Sequence, residues 1–446
     1  MVPRYSRRII VLLLLTLVGC SSLPFPLGSR TGTAIPETAL SPTPPATLVA
    51  EKTVAPNTPG ETAVIPQPTG GATVRIWLPP EFTPDANSPA SRLLKARLDE
   101  YAAENPDIRL EVREKALDGA GGMLEALVAA NAAAPLALPD LVLLPRALLE
   151  SAALKGLLYP YNGLTSAMDD QGWFDYANQL AHLKASTYGL PFAGDALVLA
   201  YHPTLVETTP HDLETLLSLG DVMLVPASDP QAIFTLSMYL AKGESLQDAA
   251  GRPWLDKATL IDILEFDQMA SQVGVMPYWL SQYSNDTQVW DTFVGDQFPM
   301  AVMWASTYLK HSPGTTADLA LVSVPTPDGL PFTLATGWSW ALAGQDPQRR
   351  LLSAQLADYL VENEFLAEWT YEAGYLPPRI DALQSWQDPD LRKIIEQISF
   401  SAHLVPPADL ISSLGPALQQ AVVDVIKAQS DPQTAAQSII DQIGPP

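Results

Sequence analysis

The chain has 446 residues, enough for two domains with cores of their own, and 47% of them are hydrophobic, as in a globular protein. Its 49 acidic residues against 25 basic ones give a formal charge of -24. A field of that sign repels nucleic acid and anionic headgroups and argues against both as ligands.

At the N-terminus, Arg4, Arg7 and Arg8 precede the apolar run IIVLLLLTLV, which is too short for a comfortable membrane span and has the charged-then-apolar order of a secretory signal. The run ends in LVGC, Leu17 to Cys20, which resembles the lipobox of bacterial lipoproteins. The resemblance makes residues 1–19 a signal peptide and Cys20 the lipidated first residue of the mature protein. Cys20 is the only cysteine, so no intramolecular disulfide can form and stability must come from packing. Over 20–71 Pro, Thr, Ala and Ser dominate, with too few large apolar clusters to offset the entropy of ordering. A mobile, partly polyproline-II tether is expected there, holding a soluble body away from a membrane.

Beyond the tether a βα alternation begins. TVRIWL (73–78) reads as a strand; Ser88 and Pro89 start a helix in which Leu94, Leu98 and Tyr101 recur at helical spacing until Asn105 and Pro106 stop it. IRLEV (108–112) alternates as a second strand, GGMLEALVAANAA (121–133) reads as a helix, and DLVLL (140–144) as a buried third strand. PRALLESAALKG (145–156) follows as a helix closed by Gly156. Successive βα units imply a mostly parallel, doubly wound sheet.

A second set continues past residue 190. YGLPFAGDALVLAYHP (188–203) has strand character through LVLAY; MLVPASDPQAIFTLSMYLAKG (223–243) is strand, turn and helix; PMAVMWAS (299–306) is a strand with Trp304 near its end. LALVSVP and ATGWSWALAG follow, then helices to the C-terminus, among them RRLLSAQLADYLVENEFLAEW and LGPALQQAVVDVIKAQ. There is no internal repeat and no coiled-coil heptad. Two α/β lobes, each mixing early and late chain, suit this order better than two beads in series.

In number and order, VRIWLPP, LLKARLDEYAAENPDIRLEV, PDLVLLPRALLESAALKGLLYPY, YGLPFAGDALVLAYHP, VGDQFPMAVMWAS, TGWSWALA and AEWTYEAGYLPPR resemble the extracellular solute-binding proteins that feed ABC importers, in particular their carbohydrate-binding branch. The resemblance implies two α/β lobes, each a mostly parallel sheet flanked by helices, joined by a hinge of two or three crossing segments. Ligand would lie in the cleft and be held by closure, which the transporter reads. Crossings are expected near Ala196 to Tyr201, Met303 to Ser306 and Gly344 to Pro347. That puts the N-terminal lobe at 72–198 and 304–345 and the C-terminal lobe at 199–303 and 346–446. The implied partners are a carbohydrate ligand, ABC permease subunits, and the bacterial cell membrane reached through lipidated Cys20; the protein is expected to be extracytoplasmic, monomeric, without cofactor or nucleic acid.

Residues just beyond strand ends then form the pocket: Trp77 and Glu81 after the first strand, Arg146 after the third, Asp195 and Trp304 at the crossings, Trp338 after Gly337, and Tyr375 and Arg379 from GYLPPR. The types suit a sugar, because an aromatic face lies against the C–H face of a pyranose while carboxylates and guanidinium groups pair with hydroxyls. Six of them also have a structural reading: Trp77 and Trp304 could plug lobe edges, Asp195 cap a turn, Arg146 pair with a carboxylate, Glu81 be merely solvated, and Arg379 tie its loop to the lobe. In ATGWSWALAG (335–344), strand parity puts Trp338 and Trp340 on one face, Trp338 at the mouth and Trp340 one pleat deeper in wall or core.

The enzyme alternative is in the same motif. GWSWA is one residue from the nucleophile elbow G-x-S-x-G, and Ser339 is followed by Asp381 and His403 in α/β-hydrolase order. Against it, Ala341 replaces the last glycine, the run continues as a strand, and Ser339 faces away from the tryptophans. The five histidines are scattered, no H-E-x-x-H or calcium loop occurs, and no P-loop is present, so neither metal nor ATP chemistry is expected. A sensor or adhesin using the same lobes is a third reading.

Overall fold

The computed structural model describes residues 71–444 apart from 85–86, 296 and 316–317. The expected signal segment, Cys20 and the expected tether up to residue 70 lie outside the described residues. Chain order begins β1 (Ala72–Leu78), α1 (Pro89–Glu104), β2 (Ile108–Glu114), α2 (Met123–Ala133), β3 (Leu141–Pro145), α3 (Arg146–Leu154), α4 (Asp175–Ala181), the hairpin β4 and β5 (His182–Leu183 and Ser186–Thr187) and β6 (Leu190–Tyr201). It continues α5 (Leu213–Leu219), β7 (Met223–Leu224), α6 (Ile233–Ala241), α7 (Lys257–Val273), α8 (Asp286–Phe293), β8 (Met300–Trp304), α9 (Ala305–His311), β9 (Ala320–Ser323) and β10 (Thr333–Leu342). The last elements are α10 (Pro347–Leu360), α11 (Asn363–Ala373), α12 (Ile380–Gln384), α13 (Pro389–Phe400), β11 (Ala402–Leu404), α14 (Ala408–Ile426) and α15 (Pro432–Ile443).

Local chemistry sets many of these ends. The Ser88 hydroxyl accepts from Ser91 N at 3.0 Å and Pro89 occupies the first turn, so α1 starts where its capping signal stands. Asp212, Asp256, Asn285 and Asp431 cap α5, α7, α8 and α15 in the same way.

The strand order is β2-β1-β3-β10-β6-β8-β7, with β11 paired to β10 and β9 to β6. β1 pairs in parallel with β2 and β3, whereas β10 runs antiparallel to both β3 and β6. β6 belongs to both lobes. Its first half pairs with β10 through Ala196, and from Leu197 onward it pairs antiparallel with β8 and β9. The first crossing therefore falls between Ala196 and Leu197.

The other crossings lie elsewhere than expected. β8 and β9 flank β6 in the second lobe, so the chain returns to the first lobe between β9 and β10, not at Met303 to Ser306. After β10 the chain does not cross at Gly344 to Pro347: α10 packs on β1, β3 and β10, and α11 on α1, which keeps both in the first lobe. The last crossing comes between α12 and α13: α12 packs on α11 in the first lobe, whereas α13 already packs on β9, and after β11 pairs with the start of β10 the chain continues into α14 of the second lobe. The cause is that β8, β9 and β10 are all apolar strands, and apolarity alone does not say which sheet a strand joins.

The first lobe is covered on both faces. Ile76, Leu78, Leu94, Phe192 and Trp340 belong to the main core, while Trp77, Met123, Leu127, Leu144 and Leu149 make a second cluster against α2 and α3. Trp77, expected at the ligand pocket, is in that second cluster and only 4% exposed. It lies before the strand's end and opposite in parity to Ile76 and Leu78, so its ring points into the layer beneath α2.

Candidate binding cleft

At the end of β1, Pro79 and the 3-10 turn Pro80–Phe82 leave Glu81 exposed and drive Phe82 inward. Phe82 becomes the hub of an aromatic group, with ring centroids 4.6 Å from Trp338, 5.6 Å from Tyr375 and 5.7 Å from Trp369. Tyr375 follows Gly374, which ends α11 at φ 66; a Cβ there would sit 2.7 Å from Lys310 Cγ. Glycine thus satisfies a left-handed cap and a close approach between the lobes.

The second lobe contributes α9. Lys310 Nζ lies 3.8 Å from the Tyr375 ring centroid and 4.0 Å from Glu81 Oε2, which also accepts from Tyr375 Oη at 3.2 Å. Burial pulls the Lys310 pKa down, opposed by the Glu81, Asp195 and Asp286 carboxylates. Burial also pushes the Tyr375 hydroxyl well up, so it is neutral and donates. Around these groups is a cavity of about 1120 Å³ whose lining includes Glu81, Phe82, Lys310, Trp369, Tyr375 and Trp386. Both lobes wall it.

A second cavity, about 630 Å³, is lined by Arg146, Glu150, Asp195, Gln231, Trp304 and Thr336 among others. Asp195 is 8% exposed, and its carboxylate is taken up at the hinge. Oδ1 accepts from Ser306 N at 2.9 Å and Oδ2 from Ser306 Oγ at 2.5 Å. Burial raises its pKa to about 6 and the Ser306 bonds partly offset this. Asp195 thereby ties the hinge strand to the first turn of α9. Trp304, the last residue of β8, pairs with Leu197 and is half-buried.

Two arginines are engaged within the first lobe. Arg146 Nε donates to Glu150 at 2.7 Å, and its Nη1 donates to the carbonyls of Gln179, Leu180 and His182 at 2.9, 2.8 and 3.0 Å, holding the end of α4. It lines the second cavity with this set of bonds already formed. Arg379 donates to Asp170 Oδ2 at 2.5 Å with its guanidinium 4.5 Å over the Trp173 ring, and lines neither cavity. That is the loop-tying role, not a ligand contact.

In β10, Trp338 is half-buried behind Phe82, and Phe82, itself only 3% exposed, borders the larger cavity. Trp340 is fully buried, 5.3 Å from Phe192. Ser339 is 1% exposed on the opposite face, where a Cβ on Gly189 would meet its side chain. β10 runs on to Leu342, and His403 pairs at Leu334, five residues before Ser339, so no nucleophile elbow forms. Glu81 and Tyr375 meet in one cavity; Arg146, Asp195 and Trp304 line the other. Phe82, Lys310, Trp369 and Trp386 were not foreseen, although Phe82 directly follows Glu81 and Trp369 lies within AEWTYEAGY. Among the described residues no group of three or more His, Cys, Asp or Glu is placed to hold a metal ion, and no helix is long and apolar enough to cross a membrane.

A family model described as bacterial extracellular solute-binding protein matches residues 96–393, more than half of the chain. The chain belongs to that family. Its members are binding proteins, not enzymes, that work outside the cytoplasm. The fold of this solute-binding protein is similar to that of a cyclic alpha-maltosyl-1,6-maltose binding protein from Arthrobacter globiformis, with TM-score 0.70 and 18% identity over 84% of this chain and 98% of that one. The sugar-binding protein MalE from Xanthomonas citri gives 0.69 at 20% identity, covering 83% and 97%. MalE from Listeria monocytogenes, solved with maltose, gives 0.67 at 15% identity, covering 84% and 97%. No curated protein matches the chain. The two-lobed α/β architecture is thus shared along nearly the full length of those structures.

Proposed function

We propose that this solute-binding protein captures a sugar or short oligosaccharide by closing its lobes and delivers it to an ABC permease, anchored to the cell membrane through lipidated Cys20. The observation that carries the reading is an interlobe cavity of about 1120 Å³, with Glu81 and Lys310 at its polar side and the edges of Phe82, Trp369, Tyr375 and Trp386, each at most 6% exposed, along its wall. Ligand pockets commonly hold roughly 300 to 1,000 Å³, so there is room for more than one sugar ring. A micromolar complex needs roughly -8 kcal/mol, so several hydrogen bonds and ring-edge contacts must act together. Three similar folds belong to proteins named for maltose-type or other sugars, which supports the same class of ligand here. The charged leader and LVGC support the anchor.

Residues 20–446 carrying Cys20→Ser, screened by thermal shift and calorimetry against maltose, maltotriose and cyclodextrins, test the binding reading. A melting temperature that climbs with sugar concentration is expected. No shift with any sugar, alongside one with peptides or amino acids, would replace carbohydrate as the ligand. Mass spectrometry of the membrane fraction for an acylated Cys20 tests the anchor.

A further inference from the structure

One buried carboxylate joins the two lobes away from the aromatic cavity. Glu150 lies on α3 in the first lobe and is 7% exposed. Its Oε1 accepts from Arg146 Nε at 2.7 Å, while Oε2 accepts from the backbone N–H of Ala408 at 3.0 Å. Ala408 is the first residue of α14, the long helix of the second lobe, and its N-cap residue Pro407 has no side-chain cap. First-turn N–H groups find no partner inside their own helix and carry partial positive charge, so a carboxylate is their natural acceptor. Here the acceptor comes from the other lobe. Arg146 is held by three carbonyls at the end of α4, and this fixes the carboxylate on the first-lobe side.

We propose that Glu150 is a closure latch: a positioning residue whose carboxylate engages the N-terminus of α14 only when the lobes are shut, and which thereby sets ligand affinity. The inference rests on the closure reading above. On opening, the Glu150–Arg146 pair stays together because both residues are on α3, whereas the Ala408 N–H leaves for water. The bond therefore exists in one state and not the other, which is the condition for shifting a two-state equilibrium. When ligand needs the closed state, apparent affinity scales with the closed fraction, so losing the latch weakens binding by the factor by which that fraction falls.

Two variants of the mature chain break the bond from opposite sides. Glu150→Ala removes the acceptor. Ala408→Pro removes the donor but leaves the Glu150–Arg146 pair intact, and proline is well tolerated at the first helical position. Small-angle scattering of the ligand-free proteins should show a larger radius of gyration for both, and calorimetry with maltotriose roughly tenfold weaker binding, expressed mainly as faster dissociation. The double variant should be no worse than either single one. If Glu150→Ala does not fold, Ala408→Pro decides alone. An Ala408→Pro protein with unchanged scattering overturns the latch. If maltotriose binds neither wild type nor variant, the sugar reading fails, and ligand-free scattering still decides the latch.

Discussion

The Lys310 ammonium lies 3.8 Å from the centroid of the Tyr375 ring, so a second-lobe cation already covers an aromatic face of the first lobe. The same ring carries the hydroxyl that donates to Glu81. Tyr375→Ala removes the face and the donor together and should weaken sugar binding at least about tenfold, whereas Tyr375→Phe, losing only the 3.2 Å bond, should stay within about threefold. Isothermal titration of both variants separates the two contributions. Equal losses would place the effect in the hydroxyl and not the ring.

Trp338 and Trp340 share a strand face but differ in depth. Trp340→Ala empties a fully buried site beside Phe192 and should cost roughly 3–5 kcal/mol. Trp338→Ala, at a half-buried ring on Phe82, should cost about half as much and also weaken sugar binding by loosening Phe82. Urea unfolding of the two variants measures the first claim, and titration of Trp338→Ala the second.

Gly194 leaves no room for a side chain: a Cβ would lie 2.1 Å from Tyr176 Oη. Gly194→Ala should therefore destabilise the hinge strand by roughly 2 kcal/mol or more. Tyr176→Phe removes the clashing oxygen, and the combined variant should recover part of the loss; Tyr176 Cζ at 2.9 Å and the Leu376 carbonyl at 3.1 Å prevent full recovery. Simple additivity in a double-mutant cycle would contradict the steric account.

Asp267 on α7 is fully buried, and neither carboxylate oxygen has a hydrogen-bond partner. Burial raises its pKa from 3.8 to about 8. Between those values the unfolded chain gives up the proton that the folded chain keeps, so this group makes stability fall as pH rises from 3.8 to about 8 and adds no further slope above. Asp267→Asn should remove that slope: nearly neutral at pH 4, and more stable than wild type by at least about 1 kcal/mol at pH 9. Denaturant titrations at pH 4, 7 and 9 check it; a gain independent of pH would point to packing instead.

Local order was well marked in the residues. The Ser88–Pro89 signal and Asn105 bracket α1 as observed, β1, β2 and β3 fall where the alternating or apolar runs stand, and Gly156 takes the left-handed conformation after α3. Several helices with proper caps were passed over, α5, α7, α8 and α15 among them, because Asp and Asn also mark turns and their capping role shows only once the following N–H groups are in place. At the site, Glu81 could be selected because it follows the first strand, whereas Tyr375, in GYLPPR, rested mainly on the family resemblance.

The linear order of residues was sufficient for two α/β lobes and for the strand parity that turns Ser339 away from Trp338 and Trp340, because periodicity and capping act over a few neighbouring residues. Only the tertiary structure decided that Trp77 belongs to a core, that Arg146 holds the end of α4, and that β8 and β9 flank β6. The partners concerned lie dozens of residues away in the chain. Long-range pairing depends on which apolar surfaces meet when the sheet assembles, and a tryptophan or an arginine has the same local sequence signature whether it faces a ligand or its own fold.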